Sequence, residues 1–256
     1  MPKTKFEAVF REFVRDFGGE IVPEEAADGQ RSADYFFPRH NVVAELKCLV
    51  VDQTADTFNK LHEIIDQRRF GAGVQAEQLG PDDILLPFTS ADGEKFTIPF
   101  DQSFQRAFQK VLLTPIENII RGANHQIRAT KERLSIPSAH GVVLIFNEGN
   151  PLHAAGPQHF ARLVGEVIQK PQSGERRFPH IQGIVYFSFR TVETFDEQTQ
   201  KYMPFWLPAQ VSGDAVEEMK GFQDDLKQGW YQYVEKMSGA PVVSHHRETG
   251  WPELRR

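Results

Sequence analysis

Apolar residues along this chain recur with two different periods, and the switches between them mark its elements. From residue 4 to 18, Phe6, Val9, Phe10, Phe13 and Phe17 fall on one helical stripe, and Gly18-Gly19 ends the run, so a helix is predicted there. "GGEIVPEEAADGQRS" then reads as a short extended piece and a turn-rich loop. Residues 33 to 51, "ADYFFPRHNVVAELKCLVV", carry aromatic and β-branched residues on both sides of "PRHN" and predict two strands. "DTFNKLHEIIDQRRF" has helical periodicity, and "ILLPFTSADGEKFTIPF" predicts a hairpin with Asp92-Gly93 as its turn. Residues 103 to 134 are mostly helical, with a break expected near Thr114-Pro115. Pro115 would open a second helix with Ile116, Ile119, Ile120, Ala123, Ile127 and Leu134 along one side.

Further on, "GVVLIFNEG" and "IQGIVYFSF" read as buried strands. Between them "PQHFARLVGEVIQK" reads as a helix with Phe160, Leu163, Val164, Val167 and Ile168 inward. A strand, helix, strand order predicts a parallel pair. A last helix, roughly 214 to 237, would carry Val216, Met219, Leu226, Trp230, Tyr233 and Met237 on one stripe, packed on the core or on a second subunit. No repeat or linker interrupts the chain, so residues 1 to 256 read as a single domain.

The unusual positions are charged ones inside the apolar hairpin. Alternate side chains of a strand share a face. Val42, Ala44, Leu46, Cys48 and Val50 make one face apolar, which leaves Glu45 and Lys47 on the other, ~7 Å apart. With the turn centred on Arg39-His40, paired residue numbers sum to 79, and Asp34 stands across from Glu45. Two carboxylates with β carbons about 5 Å apart repel unless a proton or a cation intervenes. A divalent ion with oxygen ligands would resolve the conflict, and Lys47 could hold a water or a phosphate oxygen beside it. Glu45-x-Lys47 also admits a plainer reading as a solvent-facing pair. Glu218-Met219-Lys220 repeats the pattern in a helix, where the two side chains point about 200° apart and no such site can form.

Composition changes the picture in a few places. The 21 Phe allow a substantial core, and the one cysteine, Cys48, excludes an intrachain disulfide and a cysteine-based zinc site. "MPKTKFEAVFREF" has no apolar signal region, and no apolar run approaches the roughly 20 residues of a membrane helix, so a cytoplasmic protein with no membrane contact is expected. A net charge of −6 is unfavourable for a nucleic-acid binder, though acidic metal ligands would contribute to it.

Asp34, ten residues, then Glu45-Leu46-Lys47 resembles the PD-(D/E)XK nuclease superfamily, with Ala33 where the motif name has Pro. The resemblance implies an α/β, restriction-endonuclease-like αβββαβ core with a mixed sheet. The predicted order is similar: helix 4 to 18, strands near 20 to 23, 33 to 37 and 42 to 51, helix 116 to 134, strand 141 to 147. It covers about 1 to 51 and 116 to 190, with 52 to 115 an insertion after the motif strand and 191 to 256 a C-terminal appendage. The roles it implies are Mg²⁺ (or Mn²⁺) binding by Asp34, Glu45 and the Leu46 carbonyl, with Lys47 orienting the attacking water. Some members add a glutamate from the first helix, at the position of Glu7. Thr4-x-x-Glu7 is equally a capping box. Many carry a glutamine on the following helix, here Gln126, while Thr130 stands where the RecB-like subgroup has Tyr.

Arg121, Arg128 and Lys131, with Arg133, would either contact phosphates or form a solvated helix face. Arg68-Arg69, Arg176-Arg177 and His245-His246-Arg247 are weaker contacts of the same kind. His140, Asn147, His153 and His159 fit no ligand spacing, and Cys48 lies on an apolar face with no activating setting. The expectation is a Mg²⁺-dependent endonuclease on nucleic acid, most simply double-stranded DNA, with the insertion and last helix setting substrate choice or homodimerisation. The alternative is a catalytically silent nuclease-fold subunit that binds nucleic acid or protein.

Overall fold

The computed structural model describes residues 4–23, 31–49, 52–67, 85–89, 95–99, 102–148, 157–169, 177–196, 199–210 and 216–239. Helix α1 (Lys5–Asp16) opens with a capping box between Thr4 and Glu7 and buries Phe6, Phe10, Phe13 and Val14. It stops where Gly18 takes φ +85. The Gly18 and Gly19 amides then bond back to the Arg15 and Val14 carbonyls, a closure that needs a left-handed residue.

Strands β1 (Glu20–Ile21), β2 (Tyr35–Phe37) and β3 (Val42–Leu49) follow as an antiparallel meander. The β2–β3 turn is a 3₁₀ turn at Pro38–His40 closed by Asn41 at φ 50. The pairs Phe37↔Val42, Phe36↔Val43 and Tyr35↔Ala44 have the register read from the sequence. After β3 come α2 (Asp52–Gln67), the hairpin β4 (Leu85–Thr89) and β5 (Lys95–Pro99), and then α3 (Gln102–Arg133). The hairpin pairs as a separate two-stranded sheet. Its expected turn, Asp92-Gly93, lies outside the described residues, as do Arg68-Arg69, His153, Arg176 and His245-His246-Arg247.

Helix α3 corrects one expectation. It runs unbroken for 32 residues with Pro115 inside it. Pro115 is exposed, while Leu112, Leu113 and Ile116 on the inner side are buried. Packing on both sides of the proline outweighs the backbone hydrogen bond it removes. Leu134, expected on the inner stripe, is exposed because the helix ends one residue earlier.

Strand β6 (His140–Asn147), helix α4 (Pro157–Gln169) and strand β7 (Gly183–Asp196) form the expected crossover, with β7 parallel to β6. β6 is also parallel to β3, and β8 (Thr199–Gln210) returns antiparallel along β7. The result is a mixed six-stranded sheet in the order β1-β2-β3-β6-β7-β8. One face carries α3 and α4 over Val43, Val143, Ile145, Ile184 and Tyr186. The other carries α1 and α5 (Val216–Ser238) over Ala44, Leu46, Leu144 and Phe187.

Residues 191 to 256 were expected as an appendage. Their described part instead completes the sheet and one face of the core. Met219, Phe222, Leu226 and Trp230 are buried, with Trp230 against Phe6, Phe10 and Phe13. Met237, expected on that stripe, is exposed one turn past Tyr233. None of the described helices is long and apolar enough to cross a membrane.

Candidate functional site

The hairpin places its charges by register. Asp34 lies one step before the first β2–β3 pair, so it stands outside the ladder, across from Glu45. Its Oδ2 accepts the Leu46 N–H at 2.9 Å, replacing the backbone partner that a longer β2 would have supplied. A residue's N–H and C=O leave a strand on the same edge, so the Leu46 carbonyl is directed to this side as well.

Glu45 and Lys47 point to the α3 face, opposite Ala44 and Leu46. Glu45 is 2% exposed, whereas Asp34, Lys47 and Gln126 are half-buried and form the rim. Lys47 Nζ donates to Glu45 Oε1 at 2.5 Å and to Gln126 Oε1 at 2.9 Å. Gln126 Nε2 in turn donates to the Ser32 carbonyl at 3.2 Å. Asp34, Glu45, Lys47 and Gln126, chosen from the sequence, therefore converge.

Burial sets the electrostatics. It pushes the Glu45 carboxyl up to about 8, with Asp34 adding to the rise and Lys47 opposing it. Asp34 is also raised, by burial first, against the Leu46 N–H and Lys47. Desolvation of two neighbouring carboxyls outweighs one lysine, so the pair holds a proton more strongly than isolated carboxyls do. Glu45 Oε2 is buried with no hydrogen-bond partner among the described residues. An orphaned carboxylate oxygen beside a second carboxylate is a donor set that suits a hard cation such as Mg²⁺. Among the described residues no three His, Cys, Asp or Glu side chains come together to hold an ion. Asp34 and Glu45 would have to complete the shell with the Leu46 carbonyl and water.

Glu7 is found in its capping role: Thr4 N donates to Glu7 Oε2 at 3.3 Å, and Glu7 N donates to Thr4 Oγ1 at 3.1 Å. Its charge still reaches Asp34, whose pKa it raises as the smallest of the causes. The basic residues divide. Arg121 pairs with Glu117, and Arg128 lies 3.8 Å from Glu132; both arginines are exposed. At 100° per residue they lie about 140–160° around α3 from Gln126, away from the carboxylates. Lys131, expected among the surface cations, is 6% exposed. It falls on the inner side of α3, with Nζ donating to the His180 carbonyl at 3.4 Å, and burial lowers its pKa to about 8.

His140 and Asn147 sit at opposite ends of β6, His140 against Glu218 and Asn147 against Tyr186, and form no common site. Burial pushes the Cys48 thiol up to about 12, which removes it as a nucleophile.

Sequence reasoning missed Ser32 and the role of Thr130. Thr130 Oγ1 accepts the Ala33 N–H at 2.7 Å in a fully buried position. The available signal was a polar pair, Gln126 and Thr130, spaced i, i+4 on a helix face otherwise lined by isoleucine and alanine. No family model matches the chain, nor does any curated protein or solved structure.

Proposed function

We propose that this protein is a Mg²⁺-dependent phosphodiesterase, a DNA endonuclease of restriction, defence or repair type. Its core reads as restriction-endonuclease-like in the order α1, β1, β2, β3, α3, β6, with α2 and the β4–β5 hairpin inserted after the motif strand. The observation that carries the reading is the convergence of Asp34, Glu45, Lys47 and Gln126 around an unpartnered buried oxygen.

Asp34, Glu45 and the Leu46 carbonyl are the groups that would hold Mg²⁺. Bound there, the ion would supply an activated water and charge compensation for the phosphate. Lys47 is a compact point charge on a flexible stem and is 27% exposed, so its head group can turn from Glu45 to a phosphate oxygen. Gln126 keeps that head group at the rim. The inserted segment and the last helix are the elements proposed to set substrate choice or homodimerisation.

A second reading is favoured by the cations. Arg121 and Arg128 are paired with glutamates away from the carboxylates, and Lys131 is buried. A catalytically silent nuclease-fold subunit, binding nucleic acid or protein, would need no basic track beside this site.

Plasmid cleavage in Mg²⁺ separates the two. The nuclease reading expects nicking or linearisation by wild type and none by Lys47→Ala. It also expects Mn²⁺ to raise the melting temperature of wild type but not of Asp34→Ala. A wild type with no Mn²⁺ shift that depends on Asp34 and no plasmid cleavage overturns the nuclease reading and is what the silent reading expects.

A further inference from the structure

One peptide group next to the carboxylates is gripped at both ends by α3. The Ser32 carbonyl accepts from Gln126 Nε2 at 3.2 Å, and the Ala33 N–H donates to Thr130 Oγ1 at 2.7 Å. These atoms belong to the same peptide bond, and in a trans peptide they point in opposite directions. Gln126 and Thr130 are neighbours on one helix face, so together they bracket that bond lengthwise. The orientation of the Gln126 amide is not arbitrary. The Lys47 ammonium only donates and must face Oε1, which leaves Nε2 for Ser32.

A helical threonine ordinarily bonds the carbonyl four residues back. Here the Thr130 hydroxyl accepts from the segment that leads into β2, 97 residues away. Thr130 and Ala33 are fully buried, so water cannot replace either partner. Losing the hydroxyl would strand a buried N–H.

We propose that Thr130 is a positioning residue. With Gln126 it forms a clamp on the Ser32–Ala33 peptide that aims the next residue, Asp34, at the Leu46 N–H and holds its carboxylate beside Glu45. Asp34 lies outside the β2–β3 ladder, so no inter-strand backbone pair fixes its position and it needs restraint from elsewhere. Its own carbonyl is held by the Val22 N–H at 2.9 Å on one side, and the clamp fixes the peptide on the other. Gln126 also touches Lys47, so a single side chain ties the cation to the segment that carries Asp34. The consequence for ion affinity rests on the metal-site reading proposed above; the clamp itself concerns only how residues 32 to 34 are held.

Amide hydrogen exchange on the metal-free full chain tests the clamp directly. Thr130→Val is expected to speed exchange at Leu46 about tenfold, although Leu46 does not touch Thr130, because Asp34 drifts from its N–H. Amides of Val143 and Leu144 in β6 should keep their wild-type rates, and Thr130→Ser should restore Leu46. Mn²⁺ affinity, measured by titration, should fall about tenfold in Thr130→Val and recover in Thr130→Ser. A Thr130→Val protein that loses protection at Ala33 but keeps it at Leu46 overturns the proposal. If Thr130→Val does not fold, Gln126→Leu removes the other end of the clamp and is judged by the same Leu46 criterion. A wild type that takes up Mn²⁺ no better than Asp34→Ala would end the nuclease reading, while exchange at Leu46 would still decide for or against the clamp.

Discussion

Lys47 Nζ donates to Glu45 Oε1 at 2.5 Å across a two-residue step on one face of β3, while Oε2 of the same carboxylate is buried without a partner. Lysine thus satisfies one oxygen of Glu45 and leaves the other without a hydrogen bond. Breaking a buried charge pair costs more than the pair contributes, because the remaining group is stranded. A proton or a cation relieves Glu45 Oε2, and the two compete for it.

That competition gives a pH dependence with a definite sign. Glu45 titrates near 8 in the fold against an ordinary value of 4.5, and Asp34 is shifted the same way. A raised carboxyl contributes stability that is complete below about pH 4.5 and is lost as pH rises through about 8. In metal-free buffer the melting temperature should fall between pH 5 and 8, by the equivalent of on the order of 3 kcal/mol. Glu45→Gln should flatten the slope. Mn²⁺ binding displaces the proton, so its stabilisation should be larger at pH 8 than at pH 6. Calorimetric scans of both proteins at the two pH values check this, and a wild type with no slope would remove Glu45 as the titrating group.

Trp230 tests whether the last helix belongs to the core. It is 2% exposed and meets Phe6, Phe10, Phe13 and Phe187. Trp230→Ala should cost about 3–5 kcal/mol by urea unfolding, in the range for a buried aromatic. A cost below about 1 kcal/mol would mean that the helix contributes little to the fold.

The hairpin and its charges were legible because a tight turn and a period of two fix the register, and register fixes who faces whom. Asp34 against Glu45 followed from that alone. The grip of α3 on Ser32 and Ala33 was only half legible: the polar pair Gln126 and Thr130 stands out on its helix face, but contacts across 94 and 97 residues leave no trace of the partner. Strand β8 was missed for another reason. Pro204 and Pro208 argue against a strand, yet β8 is an edge strand, where a missing N–H can face outward, and the two share a phase of the alternation. Pro115 misled in the opposite direction, because local propensity called for a break that packing overrode.

Pro115 therefore offers a stabilising change. It is exposed within α3, and its ring leaves the Val111 carbonyl without the usual helical donor. Proline inside a helix costs ~3 kcal/mol relative to alanine, part of it recovered by local adjustment. Pro115→Ala should raise stability by about 1–3 kcal/mol with plasmid cleavage unchanged, as read by urea unfolding and the nicking assay. A destabilised Pro115→Ala would show that the fixed φ of the proline ring contributes more than the hydrogen bond it removes.

Gly141 makes the strongest demand for a missing side chain. It is the second residue of β6, paired with Val43, and a Cβ there would collide with the His180 carbonyl oxygen and lie 2.8 Å from Ile127 Cγ2. Backbone on one side and the buried face of α3 on the other leave nothing flexible to give way. Its N–H also takes Gln182 Oε1 at 2.6 Å, and its carbonyl accepts from Gln182 N, so the strand cannot shift without breaking both bonds. Gly141→Ala should cost more than about 3 kcal/mol, or prevent folding, although alanine is otherwise the mildest substitution. Gly122, where an added Cβ meets nothing within 4 Å, is the control. Gly122 is half-buried in the interior of α3 with open space beside it, so Gly122→Ala should stabilise by roughly 0.5–1 kcal/mol. Opposite signs for the two glycines in urea unfolding would bear out the close approach of α3, β6 and the His180 backbone, whereas a neutral Gly141→Ala would refute it.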